Sequence, residues 1–225
     1  MSQQTYRPGL QALFDVVHRL RQPGGCPWDR EQTHESLRPF LLEEAYEALE
    51  AIDTRDDAKL KEELGDVLLQ VAMHSELAAE TGRFDAAQVS EAAAAKMVAR
   101  HPHVFGDVVA DNAEQVLANW EQLKRAEAPR SDSLFASVPR TLPALARAHA
   151  LQTRAARNGR GDVAAVEAQP VLSALARLAD ATDQAERFAL IGEILFGVVA
   201  LARDAGVDPE DALRLATTRF EKQVL

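Results

Sequence analysis

The chain has 225 residues, 35 acidic and 25 basic, for a net charge of -10; this disfavours nonspecific binding to nucleic acid or an anionic membrane, both of which want a basic surface. A single cysteine, Cys26, excludes an intramolecular disulfide and a thiolate zinc site. The N-terminal MSQQTYRPGL has neither the charged nor the apolar region of a signal peptide, and no apolar run is long enough to span a bilayer, so a soluble protein of the reducing cytoplasm is expected.

Helical periodicity runs through almost the whole chain, aromatics are 5% and no stretch alternates as a strand, which predicts an all-α fold. A first helix carries Leu10, Phe14, Val17 and Leu20 on one face and ends at Pro23-Gly24-Gly25. Cys26-Pro27-Trp28-Asp29 reads as an ordered loop. Ser36 is the expected N-cap of a second helix, with Pro39 in its first turn. Asp53 to Asp57 breaks the pattern before a third helix, which runs to about Glu80 and the C-cap signal Thr81-Gly82. A fourth helix, from about Asp85, must stop near Arg100 because Pro102 follows His101. Asp111-Asn112-Ala113-Glu114 resembles a capping box opening a fifth helix through Lys124.

The Pro- and Ser-rich stretch 128–140 then reads as a linker between residues 1–127 and 141–225. Beyond it come further helices, and one repeats an earlier pattern. Glu62-Glu63-Leu64-Gly65-Asp66-Val67-Leu68-Leu69 parallels Ala189-Leu190-Ile191-Gly192-Glu193-Ile194-Leu195-Phe196, with the paired glutamates replaced by Ala and Leu. Upstream, where a second glutamate cluster would fall, the chain reads Val171-Leu172-Ser173-Ala174-Leu175-Ala176. This predicts a duplicated helical unit whose second copy has lost its acids.

Those acids are the main chemical feature. The helical stepping Leu37, Leu41, Glu44, Ala48, Ala51 is apolar except at Glu44, and a carboxylate facing a core is costly unless something positive meets it. Glu63 and Asp66 lie at i and i+3 on the next helix, and two helices joined by a short loop usually pack antiparallel. That packing brings Glu44 and Glu47 opposite Glu63 and Asp66. Like charges ~4 Å apart cost on the order of 4 kcal/mol at an effective dielectric near 20, so such a cluster either protonates or holds cations. Carboxylates without His or Cys suit Mg²⁺, or Mn²⁺ in its place, and Mg²⁺ usually completes its shell with phosphate oxygens. On spacing alone a solvated acidic face accounts for these residues; the intrusion of Glu44 into the apolar stepping is what argues for a site.

Lys96 and Arg100, four apart on the fourth helix, could hold phosphates, or serve as surface charge near a helix C-terminus. Trp120 falls in the Val116, Leu117, Leu123 stripe, and core packing is an alternative to substrate contact. Trp28 could stack on a base or plug the bundle end, and His34 could approach the acids or only cap a helix.

Taken together, Gly25-Cys26-Pro27-Trp28-Asp29, Gln32-Thr33-His34, Leu42-Glu43-Glu44-Ala45-Tyr46-Glu47, Glu62-Glu63-Leu64-Gly65-Asp66, Arg100-His101-Pro102-His103-Val104-Phe105 and Trp120-Glu121-Gln122-Leu123-Lys124 closely resemble the MazG family over most of residues 8–127. The resemblance implies an all-α nucleoside triphosphate pyrophosphohydrolase that uses Mg²⁺ to release the monophosphate and pyrophosphate, with house-cleaning of noncanonical nucleotides as one role. It assigns Glu44, Glu47, Glu63 and Asp66 as metal ligands and Glu43 as a supporting acid. Lys96 and Arg100 would hold phosphates, and Trp120 with Lys124 would sit near the substrate. It also implies a homodimer, with four-helix-bundle clefts completed where helical units associate. Glu43 and Glu47 both remain open as the group that activates water. The second unit departs from the pattern, because Glu193 alone cannot hold metals, so catalysis is expected in the first unit. A noncatalytic nucleotide sensor or partner-binding protein is the alternative, distinguished by tight nucleotide binding without product.

Overall fold

The structure, a computed structural model, describes residues 9–110, 112–116, 119, 120, 123, 134–159 and 168–224. Among the described residues there is no strand. The helices are α1 (Leu10–Arg21), α2 (Pro27–Glu31), α3 (Arg38–Thr54), α4 (Asp57–Glu80), α5 (Ala86–Arg100), α6 (Pro102–Phe105), α7 (Ala144–Arg157), α8 (Gln169–Asp180), α9 (Gln184–Asp204) and α10 (Pro209–Val224). The chain divides into two compact units, residues 1–127 and 128–225.

In the first unit α3 packs along α4, α1 packs on the other end of α4, and α5 also meets α4. The core is built from Val17, Leu37, Ala72, Met73 and Leu77, with Leu13, Phe14, Phe40 and Leu69 against it. Arg21, almost fully buried, ties the elements around that core. Its Nε and Nη2 donate to the two oxygens of Glu80 on α4 at 2.7 and 2.8 Å, and its Nη1 donates to the carbonyls of Asp29 and Gln32 beside α2. Gly25 is required where the chain turns from α1 to α2, since a Cβ there would lie 2.1 Å from the carbonyl oxygen of Leu20.

The connection that matters for function is the one between α3 and α4. Arg55 ends α3 in the left-handed conformation, with φ of 56°, and Asp56 caps α4 by accepting from the backbone N–H groups of Ala58 and Lys59. Two residues thus reverse the chain, so the helices run antiparallel from a fixed start. At the far end of α4, Thr81 is the C-cap and Gly82 takes the left-handed conformation. Asp85 opens α5 through a reciprocal capping box with Gln88, and α5 stops at Arg100, before Pro102.

Three local expectations are corrected. Residues 27–31 are helical rather than a loop, because Pro27 at the first position sets φ for a helical turn. Ser36 does not cap α3; Leu37 occupies that place without a side-chain cap, and Ser36 Oγ donates instead to Gln32 Oε1 at 2.7 Å. Before the helical residues 113–116, it is Asn112 that accepts the capping bond, from the N–H of Gln115; Asp111 lies outside the described residues, as do residues 128–133 of the expected linker.

In the second unit α8 and α7 both pack on α9, and α10 packs on α7. Ala174, Ala181 and Leu190 form its core cluster with Leu178 and Ile194. The α8–α9 approach is close enough that a Cβ at Gly197 would come within 2.5 Å of Val171 Cγ2. Among the described residues no helix is long and apolar enough to cross a membrane.

Candidate metal centre

Antiparallel pairing carries α3 and α4 past each other in step. Glu50 meets Lys59 nearest the connection, with Oε2 accepting from Nζ at 2.8 Å. One turn further along each helix, Glu47 comes opposite Glu63 and its charge is felt there. Beyond that, one carboxylate oxygen each from Glu44, Glu63 and Asp66 lie within 4.8 Å of one another. Glu63 is buried, and Glu44 and Asp66 are half-buried. The apolar stepping around Glu44 therefore has the consequence expected of it, since that residue is turned into the seam between the two helices.

The electrostatics follow from this crowding. Desolvation raises the Glu44 carboxyl above its ordinary range, and the charges of Asp66, Glu47, Glu63 and Glu43 raise it further. Glu63 is also raised, again first by desolvation and then by Glu47, while Lys59 opposes the shift. The site is thus an under-compensated cluster of hard oxygen donors. A divalent cation with a preference for oxygen, such as Mg²⁺ or Mn²⁺, fits that donor set.

Lys59 was not singled out in the sequence. Its ammonium is held up in pKa first by its bond to Glu50, and the charges of Glu63 and Glu47 add to this. The available signal was its i, i+4 spacing from Glu63 on one helix face, overlooked because Lys59 sits in a run of ordinary surface charges.

The other expected residues are placed as follows. Glu43 is exposed beside Glu44 and is felt there as a charge. Lys96 is exposed on α5. The Arg100 guanidinium lies 5.4 Å from the centroid of the Trp120 ring, and His101 meets the same ring edge-on at 5.0 Å. Arg100 and Trp120 therefore form one stacked unit, held by a cation–π contact. Trp28 is more than half exposed and leans edge-on against Phe40 at 6.1 Å. His34 turns away from the acids to bond His74, about 12 Å along α4 from Asp66 at a helical rise of about 1.5 Å per residue. Lys124 lies outside the described residues.

The site falls inside a recognised family segment. Residues 32–105 match the MazG nucleotide pyrophosphohydrolase domain. The chain is 41% identical over 218 residues to the nucleoside triphosphate pyrophosphohydrolase/pyrophosphatase MazG of Thermotoga maritima, covering 94% of this chain and 82% of that one. It is 40% identical over 223 residues to the nucleoside triphosphate pyrophosphohydrolase of Escherichia coli K12, covering 95% and 85% respectively. A match of 42% to the YabN protein of Bacillus subtilis covers 92% of this chain but 44% of that longer protein.

Proposed function

The chain belongs to the MazG family, and from that premise we propose that it hydrolyses nucleoside triphosphates to the monophosphate and pyrophosphate at the α3–α4 carboxylate cluster. The observation that carries this reading is the convergence of Glu44, Glu63 and Asp66 within 4.8 Å. Relatives over most of this length are named for that reaction.

Glu44, Glu63 and Asp66, joined by Glu47, would hold Mg²⁺. When bound, Mg²⁺ neutralises triphosphate charge and lowers the pKa of a coordinated water. The chain itself supplies the rest. Glu43 and Glu47 are the bases beside the cluster, either of which can take a proton from attacking water. Attack in line at the α-phosphorus expels pyrophosphate, whose charge Lys96 and Arg100 are suited to hold. The Arg100–Trp120 stack offers an aromatic face to a base, Trp28 offers a second exposed ring, and Lys124, four positions after Trp120 in the sequence, would be a further cation for the substrate. The enzyme is further proposed to work in the cytoplasm as a homodimer, with its clefts completed by association of helical units and its second unit a remnant of a duplication that has lost the glutamate cluster. Noncanonical or damaged nucleotides fit a house-cleaning role. With a net charge of -10, nucleic acid and membrane are not its partners.

The test is incubation with a panel of canonical and modified triphosphates plus Mg²⁺, with products resolved by ion-exchange chromatography, beside Glu44→Ala and Glu63→Ala. Monophosphate and pyrophosphate from the wild type, and none from either variant, is the expected result. A folded wild type that binds nucleotide without releasing product would instead make the protein a sensor.

A further inference from the structure

The acid cluster creates a mechanical problem for the helices that carry it. Five carboxylates on α3 and α4 repel across the seam, so the register of the two helices must be held elsewhere. At one end the Arg55–Asp56 turn fixes the start, and the Lys59–Glu50 pair beside it, with side chains 37% and 64% exposed, adds little. The other end is different. His34, just before α3, and His74, on α4, bring their Nδ1 atoms to 2.7 Å, with ring planes within 3° of parallel. Arg83, in the α4–α5 turn, reaches His34 Nε2 through Nη2 at 2.6 Å, and its Nε donates to Thr81 Oγ1 at 2.8 Å.

The proton positions in this chain are fixed by chemistry. A guanidinium only donates, so His34 Nε2 is an acceptor and the proton of neutral His34 sits on Nδ1. His34 Nδ1 then donates to His74 Nδ1, and His74 carries its own proton on Nε2, an atom buried without a partner among the described residues. Each imidazole has one free lone pair, and each lone pair is already used. A second proton on His34 would face Arg83 directly, and a second proton on His74 would face the Nδ1–H of His34.

We propose that Arg83, His34 and His74 form a clasp that sets the register of α3 against α4, and with it the spacing of Glu44 from Glu63 and Asp66, and that a second proton on either imidazole opens it. His34 lies three positions before Leu37, which is buried with Met73 and Leu77, so the clasp and the core fix the same end of α3. These are positioning residues; none touches the acids. The consequence for turnover rests on the pyrophosphohydrolase reading, whereas the clasp stands or falls by itself.

The charged surroundings of His74 leave little to favour its protonation. From α1, His18 faces Glu76 and Arg21 faces Glu80, so these α4 carboxylates are engaged. From the α4–α5 turn comes the cation Arg83, and from the loop before α3 comes the carboxylate of Glu35, which is held low by its own backbone N–H and Thr33 and, to a lesser degree, by His34. Burial, and then His34, pull His74 below the ordinary value of 6.5. A depressed folded value means that the clasp is whole above about 6.5 and is lost as pH falls through the folded value, which lies below it.

Long-range proton–nitrogen correlation of the imidazoles in the full chain, between about pH 5 and 8, reads the clasp directly. The expected spectrum shows His34 protonated on Nδ1 and His74 on Nε2 at the upper end, with His34 losing that preference in Arg83→Leu. Mg²⁺ affinity by calorimetry then reads the register. His74→Leu and Arg83→Leu should each weaken it by about three- to tenfold. His74→Asn, whose amide oxygen can replace Nδ1 as acceptor but cannot take a proton, should restore it and lose less of it on acidification than the wild type. His34 protonated on Nε2, or undiminished Mg²⁺ affinity in both leucine variants, overturns the proposal. Arg83 is exposed, so its variant folds even if His74→Leu does not. Absence of turnover in a wild type that passes these tests would count against the enzyme and not the clasp; a wild type that fails to bind Mg²⁺ refutes the link from clasp to metal.

Discussion

Glu44 concentrates the conflict between stability and function in one side chain. Its carboxyl is half-buried among Asp66, Glu47, Glu63 and Glu43, so the protein without a bound cation carries a repulsion that either a cation or a proton would relieve. Glu44→Gln removes one charge while keeping the shape. The expected result is a metal-free melting temperature raised by about 1–3 °C, modest because solvent screens the site, together with loss of Mg²⁺ binding and of turnover. Calorimetric melting with and without Mg²⁺ checks both halves, and a variant less stable than the metal-free wild type would mean that Glu44 is already compensated. Arg21 presents the opposite case of a buried charge fully met. Its guanidinium holds Glu80 below the ordinary carboxylate value of 4.5, so this pair contributes fully above about 4.5 and is lost as pH falls through the folded value. Glu80→Gln should cost about 2 kcal/mol near neutrality by leaving Arg21 on carbonyl oxygens alone. In acid titrations of stability, the gap to the wild type should close as pH falls.

The α3–α4 hairpin shows which parts of the fold sequence patterning reveals. Helical periodicity, the Thr81-Gly82 stop, the start of α5 near Asp85 and the Pro102 limit on it are local, and each is legible because one residue type satisfies one backbone need. Glu44 betrayed the site because it broke an apolar stepping. By contrast, His34 bonds His74 and Arg21 bonds Glu80 across separations that no periodicity encodes, and Lys59 reads as an ordinary surface lysine until Glu63 and Glu47 are placed beside it. The short α2 escaped notice because five residues are too few to show a period. Arg55 is a different kind of miss. It holds a left-handed φ of 56° where glycine is the usual residue, so the turn that sets the hairpin is strained. Arg55→Gly should stabilise the protein by about 0.5–1 kcal/mol, the relief of strain outweighing the added flexibility of the unfolded chain. Urea unfolding measures this, with turnover expected unchanged because the helices keep their register.

At the scale of the whole molecule the question is what a second unit without the glutamate cluster contributes. In its helix pair, α8 exposes Leu172 and Leu175, and α9 exposes Phe188, Ile191, Leu195 and Val198, with Phe188 80% exposed. The α9 residues recur at three- and four-residue steps, so they form one stripe on one face. A contiguous apolar stripe of this kind marks an interaction surface rather than scattered surface residues. Glu193, the one acid kept from the repeated pattern, pairs only loosely with Arg177 at 3.8 Å, and both are 60% exposed. If the unit is kept for association, charge on the stripe should separate two copies while sparing the fold, whose core lies on Leu190 and Ile194. Ile191→Glu with Leu195→Glu should weaken association by about a hundredfold or more, since each copy then brings two charges to an apolar contact. Sedimentation equilibrium should show dimer for the wild type and a shift toward monomer for the double variant, with circular dichroism unchanged. Turnover per chain should fall with dilution in the variant at concentrations where the wild type holds its rate, as the proposed completion of the clefts by association requires. Glu193→Gln should change neither sedimentation nor rate. A double variant that sediments as the wild type would place the dimer contact elsewhere and leave the apolar stripe of α9 to another role.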